Sequence, residues 1–252
     1  MNKSIYKQLL ELKEKFNDIR KKEYVKAMNN GYCGIGDTFE MLLGKEKSDF
    51  CFPDYKDIEI KTRKAYSKSL ISLFCCVPDG DDLFEVERIR KTYGYPDKII
   101  KDAKTVFVTV YANKYCKMGN NYYFKLDVDN KERRVYLCIY DKEFNLIERK
   151  TYWSFEILEE RLYTKLKYLM LVYAWDKKIN NEIYYKYYKC QFYKLKDFDN
   201  FIESIKNRAI SITFRIGVRK GQYKYGLPYN HGLSFGVGVD NLPCIYEEII
   251  LE

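Results

Sequence analysis

Two acidic residues and a lysine stand close together in the first quarter of the chain. Glu59 and Lys61 lie two positions apart in a stretch where charged residues alternate with Ile58 and Ile60. The alternation predicts a strand, on which Glu59 and Lys61 share one face. Asp54 precedes Glu59 by five residues, so a short turn between them can bring the two carboxylates side by side.

These residue types suit the hydrolysis of a phosphodiester. Two carboxylates provide the hard oxygen ligands that Mg²⁺ prefers, and water and a phosphate oxygen complete its coordination. Lys61, beside the metal, can orient or help to deprotonate the attacking water and offset charge at phosphorus. The spacing, Pro-Asp, four residues, then Glu-x-Lys, is that of a metal-dependent phosphodiesterase. The alternative is a surface strand held by salt bridges.

The pattern is weak in isolation. A loose Asp…Glu-x-Lys pattern is expected by chance roughly once in a chain this rich in Lys and Glu, and Asp141, Glu148 and Lys150 also fit it. Arg149 stands in the middle of that second match, which indicates a solvated strand edge. Ile60 occupies the same position in the first match and indicates a strand with one buried face.

A third carboxylate precedes the motif. The glycine-rich segment GYCGIG leads to Asp37, which we predict as the N-cap of a short helix through Leu43. Glu40 then has two interpretations: the acidic end of a capping box with Asp37, or a third ligand of the metal. The local pattern taken alone favours the capping box.

Composition excludes several classes of protein. Hydrophobic types make up 46% of the 252 residues and aromatic types 17%, which excludes a disordered chain. No apolar run approaches the ~20 residues of a membrane span, and the charged N-terminus has no apolar signal segment, so we expect a cytoplasmic protein without membrane contact. The net charge of +9 fits either a lysine-rich surface or a polyanion partner such as nucleic acid.

Cysteine and histidine usage narrows the chemistry further. The eight cysteines show no repeated spacing and no Cys-x-x-Cys pair, which for an intracellular chain predicts reduced, mostly buried thiols rather than disulfides or a zinc site. His231 is the single histidine. Any catalytic triad must therefore use His231.

Hydrophobic periodicity predicts a mixed α/β chain, an α+β fold with a mixed sheet and no regular βαβ alternation. We expect helices over 3–27, 37–43, 81–94, 154–166 and 199–207, and a short one at the C-terminus. We expect strands near 58–60 and over 69–77, 105–112, 121–128, 133–140, 168–175, 184–195, 210–218 and 234–239. The aromatic run EIYYKYYKCQFYKL fits either a DNA-facing cleft or a half-buried strand, and its alternation favours the core.

Several segments together are similar to a known family. The segment GIGDTFEMLLGKEKSDFCFPDYKDIEIKTRK carries the helix glutamate and the motif, and SLISLF, TYGYPDK and YWSFEILEERLYTKLKYLMLVYA follow it. The C-terminal part, ISITFRIGVRKGQYKYGLPYNHGLSFGVGVDNLPCIYE, contains a basic strand and a His-Gly pair. Over roughly residues 31–247, with a divergent middle at about 113–150, the chain resembles the MvaI/BcnI-type restriction endonucleases, which are related to the MutH mismatch-repair nickase.

The resemblance implies a PD-(D/E)xK, restriction-endonuclease-like core and a Mg²⁺-dependent endonuclease on duplex DNA, with Glu40, Asp54, Glu59 and Lys61 at the active site. It also implies a second lobe for DNA recognition. We expect one nuclease chain, 1–252, with a catalytic core over roughly 31–112 plus 153–175 and a recognition lobe over roughly 176–252. Members of this group can act as monomers on sites of the CC-N-GG type and leave 5′-phosphate and 3′-hydroxyl ends, whereas MutH-like relatives nick at GATC.

Candidate DNA-contacting residues concentrate near the C-terminus. Arg215 and Arg219 lie four apart on a predicted strand and loop, and arginine is the side chain that most often recognises guanine. Nearby lysines more often hold phosphates. His231, in a glycine-rich loop, is either a base contact, as the resemblance implies, or a surface residue. The predicted DNA-binding set is Arg63, Lys64, Arg215, Arg219, Lys220, Tyr223, Asn230 and His231.

The sequence therefore predicts a sequence-specific type II restriction endonuclease, with Mg²⁺ as cofactor and double-stranded DNA as partner. A cognate DNA methyltransferase is expected in the same system, as a functional rather than a physical partner. Two alternatives stay open: a MutH-like strand-nicking repair endonuclease, and a catalytically inactive DNA-binding module that keeps the fold.

Overall fold

The computed structural model describes residues 2–31, 33–44, 52–80, 82–221 and 223–251. These residues form six α-helices: α1 (Lys3–Lys21), α2 (Gly34–Leu42), α3 (Asp82–Tyr93), α4 (Phe155–Lys165), α5 (Phe198–Lys206) and α6 (Leu242–Ile245). They also form fourteen strands: β1 (Val25–Lys26), β2 (Ile58–Lys64), β3 (Ile71–Cys75), β4 (Tyr95–Pro96), β5 (Lys104–Val110), β6 (Cys116–Met118), β7 (Tyr122–Asp129), β8 (Arg134–Tyr140), β9 (Leu146–Ser154), β10 (Tyr168–Ile179), β11 (Glu182–Leu195), β12 (Ile210–Val218), β13 (Pro228–Val237) and β14 (Tyr246–Ile249). The fold is a mixed α+β fold, as predicted.

The chain divides into two compact units. Unit 1 comprises Met1–Ile71, Leu162–Lys196 and Ile245–Glu252, and unit 2 comprises Ser72–Arg161 and Asp197–Cys244. Strand β5 belongs to unit 2 and strand β11 to unit 1. The division into a catalytic core and a recognition lobe stays a prediction.

Unit 1 is built on a five-stranded mixed sheet. Its order is β1-β11-β10-β2, with β14 paired to the far end of β11. Only β2 and β10 run parallel among the pairs described, and their register aligns Ile58 with Tyr168 and Arg63 with Tyr173. Ile58 and Ile60 face the apolar side of α1, which buries Leu9, Leu12 and Phe16 against the sheet. The charged residues of β2 therefore lie on the opposite face.

Unit 2 contains two further sheets. One has the order β3-β13-β12-β5-β4, and the other is a four-stranded antiparallel sheet, β6-β7-β8-β9. Trp153 of β9 is fully buried, and its indole donates a hydrogen bond to the carbonyl of Cys76. Phe214 and Phe235, from the neighbouring strands β12 and β13, both pack on the Trp153 ring.

Most predicted elements are present, with several corrections. Helix α1 ends at Lys21 rather than near Ala27, because the chain turns into strand β1 and pairs with β11. The predicted short final helix is present as α6, and it is followed by β14, an additional strand that pairs with β11. Around Arg149 only a solvated strand edge was predicted, whereas β9 extends over Leu146–Ser154 and buries Thr151 and Trp153.

The thiols are less buried than the sequence suggested. Cys51 lies outside the described residues, and none of the other seven cysteines forms a disulfide within the described part of the chain. Three of these, Cys76, Cys116 and Cys138, are buried, whereas Cys33, Cys75 and Cys244 are exposed. The prediction of reduced thiols agrees with this arrangement, but the prediction of mostly buried thiols was wrong.

None of the helices in the described ranges is long and apolar enough to cross a membrane.

Candidate active site

A tight turn in unit 1 brings Asp54 next to β2. Tyr55 and Ile58 exchange two backbone hydrogen bonds, of 2.9 and 2.8 Å, across a two-residue loop. The segment before the turn therefore lies beside the strand that follows it. The Asp54 carboxylate accepts a hydrogen bond from the backbone amide of Ile60 at 3.1 Å, which fixes it close to Glu59.

Glu59 is a buried carboxylate with one uncommitted oxygen. The residue is 0% exposed, and its Oε2 atom has no hydrogen-bond partner among the described residues. Burial is the main cause that raises the pKa of Glu59; the charge of Lys61 opposes the shift, and the charge of Asp54 adds to it. A buried, unpaired carboxylate oxygen is costly, and a bound cation would remove that cost.

Two lysines converge on the other oxygen of this carboxylate. The Nζ atom of Lys61 lies 2.5 Å from Glu59 Oε1, and the Nζ atom of Lys165 lies 3.5 Å from the same oxygen. Lys165 is the last residue of α4, and its side chain is only 17% exposed. Sequence reasoning missed it. The signal lies in the topology, because β10 begins three residues later and runs parallel beside β2.

Helix α2 carries Glu40, but the helix does not begin at the predicted N-cap residue. The helix begins at Gly34, and the residue before it, Cys33, forms no side-chain cap. Asp37 therefore lies inside the first turn, where its carboxylate accepts a hydrogen bond from the Asn29 side chain at 2.6 Å. The prediction of Asp37 as N-cap was wrong, and the capping-box interpretation of Glu40 fails with it. The early start depends on Gly34, because a Cβ there would lie 2.4 Å from the carbonyl oxygen of Asn29.

The donor set fits a hard divalent cation such as Mg²⁺. Asp54 and the free Oε2 of Glu59 offer carboxylate oxygens, and Mg²⁺ is commonly held by one or two carboxylates together with water and substrate phosphate. Within the described ranges, no group of three or more His, Cys, Asp or Glu side chains is arranged to hold a metal ion. The structure therefore offers a two-carboxylate set, and the assignment of Glu40 as a third ligand stays a prediction.

Beyond Lys61, strand β2 carries two more cations on opposite faces. Arg63 is 8% exposed and donates a hydrogen bond from Nη2 to the carbonyl of Ser67. Lys64 is exposed and pairs with Asp176 at 2.7 Å. Their alternation follows from strand geometry, which directs Arg63 to the face of Glu59 and Lys61 and directs Lys64 away from it.

In unit 2, the predicted DNA-contacting residues lie on β12, on β13 and in the connection between these strands. Arg215 is exposed at an irregularity in the pairing of these strands, and its Nη2 atom lies 3.5 Å from the carbonyl oxygen of His231. His231 lies within strand β13 and not in a loop as predicted. Burial, followed by the charges of Arg215 and Arg219, lowers the pKa of His231 below its ordinary value.

A pocket of about 410 Å³ in unit 2 lies beside this cluster. Arg219, Tyr229 and His231 contribute to its lining. The Arg219 guanidinium stacks over the Tyr229 ring at 4.3 Å, and the His231 ring meets the same tyrosine edge-on with centroids 4.0 Å apart. Sequence reasoning did not single out Tyr229, since nothing in the local pattern reveals which partner an arginine on a neighbouring strand will meet.

The remaining predicted residues of this surface differ in solvent exposure and in whether another residue binds their side chains. Lys220 forms an ion pair with Asp97 at 3.1 Å, whereas Tyr223 is 93% exposed. The Asn230 side chain accepts a hydrogen bond from the backbone amide of Gly232 at 2.8 Å. Gly232 has a φ of 98°, and a Cβ there would lie 2.8 Å from Cys75 Sγ, so the position requires glycine.

The second match to the motif does not form a comparable pair. The Asp141 carboxylate accepts hydrogen bonds from the backbone and side chain of Asn145. Glu148 lies on the edge strand β9, but it is not solvated as predicted: its side chain is 13% exposed and is held by Arg88 and Tyr93.

Similarity to solved structures identifies the class of fold. Over 99% of this chain and 98% of the other, the structure is similar to the restriction endonuclease MvaI in complex with its cognate DNA substrate, with a TM-score of 0.90 and 31% identity. It is also similar to MvaI in the absence of DNA, with a TM-score of 0.64, 30% identity and coverage of 100% and 99%. The fold is that of a restriction endonuclease.

The family follows from the sequence match. Residues 13–246 match the MvaI/BcnI restriction endonuclease family. The chain therefore belongs to the MvaI/BcnI restriction endonuclease family and is a DNA-cleaving nuclease. No curated protein matches it.

Proposed function

We propose that the chain is a type II restriction endonuclease that hydrolyses duplex DNA with Mg²⁺-activated water in unit 1. The observation that carries the proposal is the buried Glu59 carboxylate. One of its oxygens is paired with Lys61 and the other has no partner among the described residues, while Asp54 lies beside it. Burying a charged group is unfavourable for the stability of the fold. Binding of a cation and a phosphate therefore explains this arrangement better than a structural role does.

Each residue then has a defined task. Asp54 and Glu59 would hold Mg²⁺, and we assign Glu40 as a further carboxylate of the site. Bound there, Mg²⁺ would supply Lewis-acid polarisation of the phosphate and a lowered pKa for the attacking water. Lys61 orients that water and offsets the charge that develops at phosphorus.

Lys165 allows Lys61 to perform this task. If Lys61 moves from Glu59 towards water or phosphate, Lys165 remains within 3.5 Å of the same oxygen. The carboxylate then keeps a cationic partner during the reaction, which holds its second oxygen in place. Groups that orient metal ligands in this way typically affect activity about 10- to 100-fold.

Recognition of the site is assigned to unit 2. Arg215 and Arg219 are exposed cations that can contact guanine, and His231 lines the pocket together with Arg219. Lys220, Tyr223, Asn230 and, in unit 1, Arg63 and Lys64 are proposed as further DNA contacts. By family resemblance we propose a CC-N-GG-like site, a monomeric enzyme and a cognate methyltransferase in the same system.

The test is cleavage of unmethylated supercoiled plasmid with Mg²⁺ and, in parallel, with EDTA. The wild-type protein should give discrete fragments with Mg²⁺ only, and sequencing their ends would identify the site. Asp54→Ala should abolish cleavage and retain DNA binding. Asp57→Ala, which removes an exposed carboxylate bonded to Gln8, is the matched control and should cleave normally. Cleavage by Asp54→Ala at the wild-type rate would refute the site.

Other products would favour the alternatives. An open-circular product alone would indicate a strand-nicking, MutH-like enzyme. Binding without cleavage of any unmethylated DNA, with Mg²⁺ present, would indicate an inactive DNA-binding module.

A further inference from the structure

The face of the unit 1 sheet that carries Glu59 continues into a group of aromatic side chains. Because β2 and β10 are parallel and in register, Arg63 is level with Tyr173 and both point to the Glu59 face. Trp175 follows on the same face of β10. Beyond the end of β2, Ala65 still donates a backbone hydrogen bond to Ala174 at 2.9 Å.

These aromatic residues form a continuous strip. The Tyr66 and Trp175 rings have centroids 4.7 Å apart, Trp175 stacks on Tyr188 at 5.1 Å, and Tyr188 lies 6.4 Å from Tyr173. We call Tyr66, Tyr173, Trp175 and Tyr188 the aromatic strip. Its outer end is open, since Tyr66 is 82% exposed, and the other three residues are half-buried.

Cations accompany the strip. The Lys189 ammonium lies 5.1 Å from the centre of the Tyr173 ring, and the Arg63 guanidinium lies 6.0 Å from the same ring. No carboxylate of the described residues forms a salt bridge with Arg63, and its Nε and Nη1 atoms have no hydrogen-bond partner there. A buried guanidinium without an acidic partner leaves an uncompensated positive potential at this face.

We propose that the aromatic strip, with Lys189 at its surface and the buried charge of Arg63 beneath it, is a contact surface for the deoxyribose–phosphate backbone of duplex DNA. The proposal rests on the proposed function, because it extends the DNA path from the candidate active site. Arg63 is four residues beyond Glu59 on β2, or ~13 Å at the usual rise per residue. That distance corresponds to about four base pairs, which lies within the footprint of a DNA-bound module.

The chemistry suits a backbone rather than a base sequence. Flat aromatic faces pack against sugars and tolerate any sequence, and lysine and arginine attract phosphates without recognising bases. The other interpretation is a cluster that only stiffens the ends of β10 and β11. That interpretation does not require Tyr66 to remain largely exposed or two cations to lie against Tyr173.

The test is DNA affinity in EDTA, measured by fluorescence anisotropy on a labelled short duplex. Tyr66→Ala should weaken binding about fivefold or more and leave the melting temperature unchanged, because the ring is exposed. Tyr6→Ala is the matched control: this partly exposed tyrosine lies on α1, which covers the opposite face of the sheet. Lys189→Ala should reduce the salt dependence of binding by about one counterion.

Tryptophan fluorescence provides a second measurement. The chain has two tryptophans, and Trp153 is fully buried in unit 2. A DNA-induced fluorescence change that is present in the wild type and absent in Trp175→Phe would support the strip. Equal affinities for Tyr66→Ala, Tyr6→Ala and wild type would overturn it and leave the nuclease proposal standing if plasmid is still cleaved. Failure of the wild type to bind any duplex would overturn both.

Discussion

The ammonium group of Lys165 lies 3.5 Å from Oε1 of Glu59, although the two residues are more than a hundred positions apart in the chain. The contact follows from the parallel pairing of β2 with β10, since Lys165 ends the helix that leads into β10. Tyr246 of β14 secures the connection, because its hydroxyl donates a hydrogen bond to the carbonyl of Leu166 at 3.1 Å. Three separate segments, namely the turn that leads into β2, the connection from α4 to β10, and β14, therefore meet around one carboxylate.

We expect Lys165→Met to reduce the rate of DNA cleavage about 10- to 100-fold without weakening DNA binding. The reason is that Lys61 must then remain paired with Glu59 and cannot orient the attacking water. Lys165→Arg should keep most of the activity. Single-turnover cleavage and DNA affinity in EDTA, measured on the same variants, separate the two effects. Lys167→Met, an exposed lysine in the same connection, should match the wild type; equal rates for both methionine variants would contradict the role of Lys165.

Glu59→Gln should change the pH dependence of stability. Burial raises the pKa of Glu59 above its ordinary value of 4.5, so its contribution to stability is present below about that pH and is lost as the pH rises through the raised pKa. Glutamine is neutral throughout. In EDTA, the melting temperature of Glu59→Gln relative to wild type should therefore rise between about pH 4 and pH 7. Glu14→Gln, an exposed change on α1, should show no such trend. A melting-temperature difference between Glu59→Gln and wild type that does not change with pH would refute the raised pKa of Glu59.

The Arg219–Tyr229 stack should determine base discrimination. Tyr229→Leu removes the ring that orients the guanidinium, and Arg219→Lys removes the planar group itself. Each should reduce discrimination between cognate and mismatched duplexes by about 1–3 kcal/mol, the usual value of a bidentate arginine–guanine contact. Competition binding measures this ratio. Lys220→Ala should lower affinity for both duplexes equally; an unchanged ratio in Tyr229→Leu would show that the stack does not position Arg219.

His231 should act as a neutral imidazole near neutral pH. Its pKa is lowered from 6.5 by burial and by the two neighbouring arginines, so protonation destabilises the folded state and stability falls as the pH drops below about 6.5. The affinity ratio of wild type to His231→Ala should be constant between about pH 7 and pH 8.5. Because the chain has one histidine, a ratio that varies in this range would assign the titration to His231 and contradict the neutral form.

The Arg88 network should stabilise unit 2 without any role in cleavage. Arg88 joins Glu85 on α3 to Glu148 on β9 with bonds of 2.7 and 2.5 Å, and the three side chains are at most 20% exposed. Arg88→Met leaves two poorly solvated carboxylates and should cost about 3 kcal/mol in the free energy of unfolding, measured by urea denaturation. Lys150→Met removes an exposed cation 4.0 Å from Glu148 and should cost less than about 0.5 kcal/mol. An equal cost for both would refute the network.

Local sequence was sufficient to predict most elements and the closeness of Asp54, Glu59 and Lys61. Apolar spacing in α1 and the alternation of Ile58 and Ile60 in β2 depend only on residues close in the chain, and such periodicities survive folding because they create the buried faces. The motif Asp54, Glu59 and Lys61 lies within eight residues, so one turn and one strand are enough to bring it together. The segments similar to the MvaI/BcnI family also identified the class of enzyme.

Long-range pairing determined what the sequence did not reveal. Lys165 reaches Glu59 only through the β2–β10 pairing, Tyr229 meets Arg219 only through the hairpin of β12 and β13, and Trp175 joins the face of Glu59 only through strand register. The start of α2 at Gly34 is likewise set by the close approach of Asn29 rather than by the cap signal at Asp37. These contacts join residues that are far apart in the chain, so no local periodic pattern predicts them. Only the pairing and packing of the strands brings such residues within bonding distance.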